Sequence, residues 1–143
     1  MLREIKFQEV DTFTSWEKSD RPYPWTRQHF METMGSFTSK TLVLQATDKS
    51  AVGYATLQWV GQEAYIMNFM IDPRNRRKGW GGQLIKKVIE WARSHGAKEL
   101  FLDVDPNNEA AVSLYKKVGF EVVQRRPHSY PRGEDAFVMK LLL

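Results

Sequence analysis

The sequence predicts a mixed α/β fold: a mostly antiparallel central sheet of about seven strands flanked by about four helices. Three observations carry that expectation. Segments of β-forming residues outnumber segments with helical spacing, only the middle of the chain offers a strand–helix–strand unit, and turn residues punctuate short elements throughout. The 143 residues contain no repeat, low-complexity tract or Gly/Ser linker, so one domain spanning 1–143 is expected.

Leu2 to Val10 has the composition of a strand, and Thr14-x-x-Glu17 then matches a capping box opening a short helix. Pro22-Tyr23-Pro24-Trp25 cannot be helical, because each Pro restricts the residue before it. Thr26 caps a second helix through about Met34. Thr41–Thr47 and Ala51–Val60 flank Asp48-Lys49-Ser50 and predict a hairpin. Glu63–Ile71 is a further strand, ended by Asp72-Pro73. Leu84, Ile85, Val88, Ile89 and Ala92 then recur at helical spacing, opposite Lys86, Lys87, Glu90 and Arg93, and Gly96 supplies a stop.

Leu100, Leu102 and Val104 alternate with Phe101, Asp103 and Asp105, the period of a strand with two different faces. Pro106-Asn107-Asn108 starts a helix whose apolar stripe is Ala110, Ala111, Leu114, Tyr115 and Val118; Gly119 ends it. Phe120–Arg125 and Ala136–Leu142 close the chain as two strands around a turn at Pro131-Arg132-Gly133.

Composition excludes whole classes of chemistry. With no Cys there is no disulfide, thiolate-ligated metal or thiol nucleophile, and the three His (His29, His95, His128) are not spaced as a metal site. No apolar run approaches the roughly 18 residues that span a bilayer, and the charged start Met1-Leu2-Arg3-Glu4 is unlike a signal peptide, so a cytoplasmic protein without a membrane partner is expected. The chain carries 21 Lys+Arg against 17 Asp+Glu, but the surplus is local. Arg74, Arg76, Arg77, Lys78, Lys86 and Lys87 fall between Pro73 and Lys87 with no acid among them, leaving the rest net acidic. One concentrated basic stretch suits a compact anion better than an extended nucleic acid.

That stretch contains Arg76-Arg77-Lys78-Gly79-Trp80-Gly81-Gly82, between a strand end and a helix start. Three glycines in four positions let the main chain approach a ligand closely, and the first N–H groups of a helix are unsatisfied and partly positive. This is how backbone holds a pyrophosphate. The P-loop pattern fails, since Lys78 precedes the glycines and no Ser/Thr follows them; the dinucleotide fingerprint fails at Leu84. A phosphate-bearing cofactor outside both classes remains.

Arg76, Gly79 and Gly81 fill the Arg/Gln-x-x-Gly-x-Gly/Ala stretch of the GNAT superfamily of N-acetyltransferases, and Asn108, Ala111, Leu114-Tyr115 and Gly119-Phe120 match its second element, an Asn-led helix running into Leu-Tyr and Gly-Phe. The chain resembles that superfamily, and within it is most similar to the ribosomal-protein alanine N-acetyltransferases. Pro24-Trp25-Thr26, Asn68 through Ile71-Asp72-Pro73, Arg125-Arg126 and Glu134-Asp135-Ala136-x-x-Met139 fall where that subfamily has similar residues, so the likeness runs from about Tyr23 to the C-terminus. The chain departs from the subfamily in having Asp103 in place of Glu, Ser129-Tyr130 in place of two tyrosines, and a shorter turn before Glu134.

The resemblance implies a GNAT acyl-CoA N-acyltransferase fold and direct transfer of acetyl from acetyl-CoA, the co-substrate, to a primary amine, with no metal. Main-chain groups of Phe69, Met70 and Ile71 would pair with the pantetheine arm, Arg76, Arg77, Lys78, Gly79, Trp80, Gly81 and Gly82 would hold the diphosphate, and Asn108 would bind the arm unless it serves as a helix cap, a job for which Asn107 competes. Asp103 would be the base, acting through a water or with raised basicity because it is one methylene shorter than Glu. Tyr115 would protonate the departing thiolate. Tyr23, Trp25, His128 and Tyr130 would surround the acceptor. At pH 7 a peptide α-amine is about 14% unprotonated and a Lys side chain only about 0.04%, so the modest base suits an α-amine, such as the N-terminus of a ribosomal protein.

Three other functions are consistent with the residues: acetylation of a small-molecule amine, a nucleic-acid or ribosome-binding module built on the basic stretch, and a non-catalytic acyl-CoA sensor. The net-acidic remainder argues against specific nucleic-acid binding. A monomer or a homodimer is expected.

Overall fold

Ala51–Val60 (β3) and Glu63–Ile71 (β4), rich in β-branched and aromatic residues, pair antiparallel at the centre of the sheet. The computed structural model describes residues 1–143 and joins them to Leu2–Glu4 (β1), Ser39–Gln45 (β2), Glu99–Val104 (β5), Glu121–Arg126 (β6) and Ala136–Leu142 (β7). All seven strands form one sheet in the order β1-β2-β3-β4-β5-β7-β6. Every pairing is antiparallel except β4 with β5, which are joined by the helix Trp80–Ser94 (α3). A parallel pair needs such a crossover; the second strand–helix–strand unit, in which the helix Glu109–Lys117 leads from β5 to β6, leaves β7 inserted between its strands.

The N-terminal expectations need correction. The strand ends at Glu4 rather than Val10; Phe7–Glu9 forms a 3-10 turn that runs into the helix Val10–Asp20 (α1). Glu9 ties this corner by pairing with Arg3 at 2.8 Å and accepting the Lys6 N–H at 2.9 Å. The capping box at Thr14 does not exist: Thr14 lies inside α1, where its hydroxyl donates to the Val10 carbonyl at 2.8 Å. The wide apolar spacing of Val10, Phe13 and Trp16 is helical and overrides the β-forming residues before it. Thr26 caps the second helix, Arg27–Met34 (α2), as expected. In the last helix, Glu109–Lys117 (α4), Val112 is buried and Ala110 exposed, so the buried stripe differs from the sequence expectation by that exchange.

The sheet has a layer of helices on each face. Leu84, Ile85, Val88 and Ile89 of α3, with Val112 and Tyr115 of α4, pack on Leu42, Leu57, Ile66, Leu100 and Leu102. On the opposite face α1 and α2 bury Phe13, Trp16 and Phe30 against Val43, Tyr54 and Met70. No helix is long and apolar enough to cross a membrane.

At the end of β4, Asp72 caps a 3-10 turn, Pro73–Asn75, that launches the basic loop. Burial alone would raise its carboxyl, but hydrogen bonds from the Arg74 side chain and main chain, with Asn75 Nδ2 at 3.1 Å, outweigh that and hold it below the usual carboxylate range. A group with a depressed folded value stabilises the fold above its unfolded value of about 3.9, and that contribution is lost as pH falls through the folded value. Asp72→Asn is therefore expected to make the loss of stability below about pH 4 shallower, measured by urea denaturation across a pH series; an acid limb as steep as wild type would contradict this. Gly53 offers a second test. A Cβ there would meet the Met70 carbonyl oxygen and Ile71 Cδ1, both at 2.7 Å, so Gly53→Ala should destabilise by about 1–3 kcal/mol in the same assay.

Candidate active site

The site begins where two strands stop pairing. β4 and β5 are in register from Glu63–Glu99 to Ile66–Leu102, and there the ladder ends although β4 continues to Ile71 and β5 to Val104. The cause is one extra residue in β4: Thr56 faces Asn68 and Leu57 faces Ile66, leaving Met67 as a bulge. The bulge also reverses the alternation. Phe69 and Ile71 join Ile66 on the α3/α4 face, while Met70 packs on the α1/α2 face and Asn68 meets Glu17 of α1.

A cleft of about 970 Å³ opens between the parted strands, walled by β4, β5, the glycine loop and α4. The Asp72 N–H donates to the Val52 carbonyl, so the two-residue repeat of the ladder turns the main chain of Met70 toward β3 and those of Phe69 and Ile71 toward the cleft. Two of the three expected arm-binding residues therefore present main-chain groups, and Met70 does not. The Phe69 N–H donates to Asn68 Oδ1 at 2.9 Å and its carbonyl accepts from Arg21; the Ile71 carbonyl accepts from Arg76 Nη2 at 3.4 Å.

The glycine loop closes one end. Arg77 has φ 62° and Gly79 φ 82°, which turns the chain so that the N-terminus of α3 faces the cleft; a side chain at Gly79 would be strained by that angle. The first α3 bond from this end is donated by the Gln83 N–H to the Gly79 carbonyl at 3.2 Å, and no side chain caps the helix. The N–H groups of Trp80, Gly81 and Gly82 are left as donors with the positive end of the helix dipole behind them. Gly81 is packed against Leu114: a Cβ there would lie 3.4 Å from Leu114 Cδ2. Arg76 is not a free cation, because it pairs with Asp20 at 2.5 Å and so ties the end of α1 to the loop.

Tyr115 lies on α4 with only 6% of its surface exposed, yet it lines the cleft. Burial pushes its hydroxyl up to about 12, the positive charge of Arg21 pulls weakly the other way, and no hydrogen bond contributes. Its ring meets the Phe69 ring edge-on at 5.8 Å. Asp103 lies opposite on β5, half exposed and paired with Arg126 at 3.0 Å. Asn108 caps α4, its Oδ1 accepting the Ala111 N–H at 3.2 Å, while the Asn107 N–H donates to Asp105; Asn108 also borders the cleft.

At the other end, two loops meet. The Tyr23 hydroxyl is 3.0 Å from both Glu134 carboxylate oxygens and accepts the Arg132 N–H at 3.0 Å. The Tyr23 and Tyr130 rings stack with centroids 5.9 Å apart. Burial, then the charges of Asp103, Asp105 and Glu134, push the Tyr130 hydroxyl up. Tyr23, Trp25 and Tyr130 border the cleft, as do Arg77, Gly79, Trp80 and Gly81. Lys78, Gly82 and His128 do not line it; His128 is held in the β6–β7 loop, its N–H donating to Asp135.

Sequence reasoning missed Arg21 as a cleft residue and Glu17 as its buried partner. The available signal was the i,i+4 spacing of an acid and an arginine on one helix face. Glu134 was visible only as part of a matched stretch, without a role.

Comparison with known proteins agrees with this geometry. The family model described as "Acetyltransferase (GNAT) family" matches residues 10–120. The [ribosomal protein bS18]-alanine N-acetyltransferase of Salmonella typhimurium is 32% identical over 137 residues, covering 92% of this chain and 91% of that protein. The crystal structure of the ribosomal-protein-S18-alanine N-acetyltransferase from Escherichia coli superposes with a TM-score of 0.88 at 27% identity, covering 99% of this chain and 92% of that one. The spermidine N-acetyltransferase from Vibrio cholerae, solved with CoA and spermine, shares the fold at 17% identity, with a TM-score of 0.85 and coverage of 99% and 94%. By its parted strands, its glycine loop and this match, the chain belongs to the GNAT family of acetyltransferases.

Proposed function

We propose that this protein transfers an acetyl group from acetyl-CoA to the N-terminal α-amine of a peptide or protein, an acceptor of the kind named for its bS18-alanine acetyltransferase relatives. One observation carries the reading: β4 and β5 separate at the Met67 bulge, and the cleft between them leads from the open N–H groups of α3 to the unpartnered Tyr115 hydroxyl.

The residues present fit the cofactor. Trp80 and Gly81 offer main-chain donors for a diphosphate at the cleft, with Arg77 beside them. Ile71 turns its N–H into the cleft beyond the last strand pair, where an amide-bearing arm can pair with it as a strand would. The Phe69 carbonyl keeps one lone pair beyond the one Arg21 uses. Bound acetyl-CoA supplies an activated thioester.

Tyr115 is suited to hold a proton for the departing thiolate. A phenol near 12 stays protonated at neutral pH, and its hydroxyl has no protein acceptor to compete for that proton. Asp103, on the facing strand, is the matched base; Arg126 at 3.0 Å orients its carboxylate. Tyr23, Tyr130 and Glu134 frame the acceptor's approach.

Four measurements test this. Calorimetry should show coenzyme A binding, and free-CoA release should be faster with N-terminal peptides than with polyamines. Tyr115→Phe should lower kcat at least about tenfold while coenzyme A binding persists. Asp103→Asn should lower kcat/KM for the acceptor by a similar factor. Unchanged kcat in Tyr115→Phe would remove the proposed acid, and no coenzyme A uptake would remove the function.

A further inference from the structure

Resting on the acetyltransferase reading, we infer that Arg21, braced by the buried Glu17, is a positioning residue that fixes the Phe69 main chain and ring against which Tyr115 packs. Glu17 is fully buried on α1. Its Oε1 accepts from Asn68 Nδ2 at 2.7 Å and from the Trp25 N–H at 3.3 Å, and its Oε2 lies 3.2 Å from Arg21 Nε without the alignment of a hydrogen bond. The Tyr54 hydroxyl is buried in the same region with no aligned partner. Burial and the Glu17 charge push its ionisation up, so it adds no charge of its own.

The guanidinium that Glu17 anchors donates to Asn68 Oδ1 and to the Phe69 carbonyl. Asn68 Oδ1 in turn accepts the Phe69 N–H. Both main-chain groups of Phe69 are thus held by two side chains that share one buried carboxylate. This matters because Phe69 lies two residues past the bulge, where β5 no longer pairs with β4 and cannot fix its orientation. The Phe69 ring stands edge-on to Tyr115 at 82°. The chain of contacts runs from α1 through β4 to α4, and Arg21 also contributes a cation to the wall that Tyr115 shares.

Removing Arg21 alone would leave Glu17 buried and unpaired, so the test pairs two changes. Glu17→Gln/Arg21→Met removes both charges and keeps an acceptor for Asn68 Nδ2. Its kcat is expected to fall about tenfold, with a smaller rise in KM for acetyl-CoA because the Phe69 carbonyl also faces the cofactor arm, and to fall no further when Tyr115→Phe is added. If the double variant does not fold, Arg21→Lys carries the same test with a fall of about threefold, since an ammonium lacks the planar fork that spans Asn68 and Phe69. Loss of kcat by the same factor with and without Tyr115→Phe would overturn the inference alone. A kcat equal to wild type in Tyr115→Phe would overturn the acid assignment and this inference with it. Weakened acetyl-CoA KM at unchanged kcat would overturn the positioning role and assign Arg21 to the cofactor instead.

Discussion

The functional architecture depends on a hydrogen-bond ladder that stops. β4 and β5 share four residue pairs and then part at Ile66 and Leu102, because Met67 is one residue too many for the ladder with β3. A strand pair that continued would bury every main-chain group of Phe69 and Ile71 between strands. Parting them leaves polar groups that must find other partners. Some find side chains, as Phe69 does with Asn68 and Arg21, while the Ile71 N–H is turned to the cleft. The same bulge swaps the faces of the strand, which is why Asn68 reaches Glu17 while Phe69 reaches Tyr115.

Much of this was legible in the sequence. Ala51–Val60, Glu63–Ile71 and Ala136–Leu142 run between the residues that composition marks, and the β4–α3–β5 unit follows from one helical stretch between two strands. The glycine loop was visible because three glycines in four positions follow a run of cations and open a helix. The N-terminus was not legible: Leu2 to Val10 is rich in β-formers, but Val10, Phe13 and Trp16 bury one helical stripe, and tertiary burial outweighs local propensity. The splay was hidden for a different reason. Alternation reports which face a residue occupies and says nothing about whether a neighbouring strand is there to pair with it.

Glu17 and Arg21 mark a further limit. An acid on a short polar helix ordinarily faces water, and only the crowding of Tyr54, Asn68 and Trp25 around this one reveals it as a brace. Its partner follows Asp20, which restrains Arg76, so neighbouring residues at the end of α1 reach the cofactor strand and the glycine loop. The end of α1 therefore sets the spacing between those two walls.

The local basicity acts less through side chains than the sequence suggests. Of the cations ahead of the glycines, Arg74 is bound by Asp72 and Arg76 by Asp20, so Arg77 is the one lining the cleft with no carboxylate partner. On the proposed function, main-chain donors at the start of α3 would then carry more of the anion's binding. Such donors are fixed by the helix and need no side-chain ordering on binding, which favours a precise phosphate position over a strong long-range field. At the far end the balance is reversed: Asp103, Asp105 and Glu134 surround Tyr130 with Arg126 as the nearby cation. On the proposed function, main-chain donors and Arg77 at one end would take the anionic cofactor, and the carboxylates around Tyr130 at the other would meet a cationic amine.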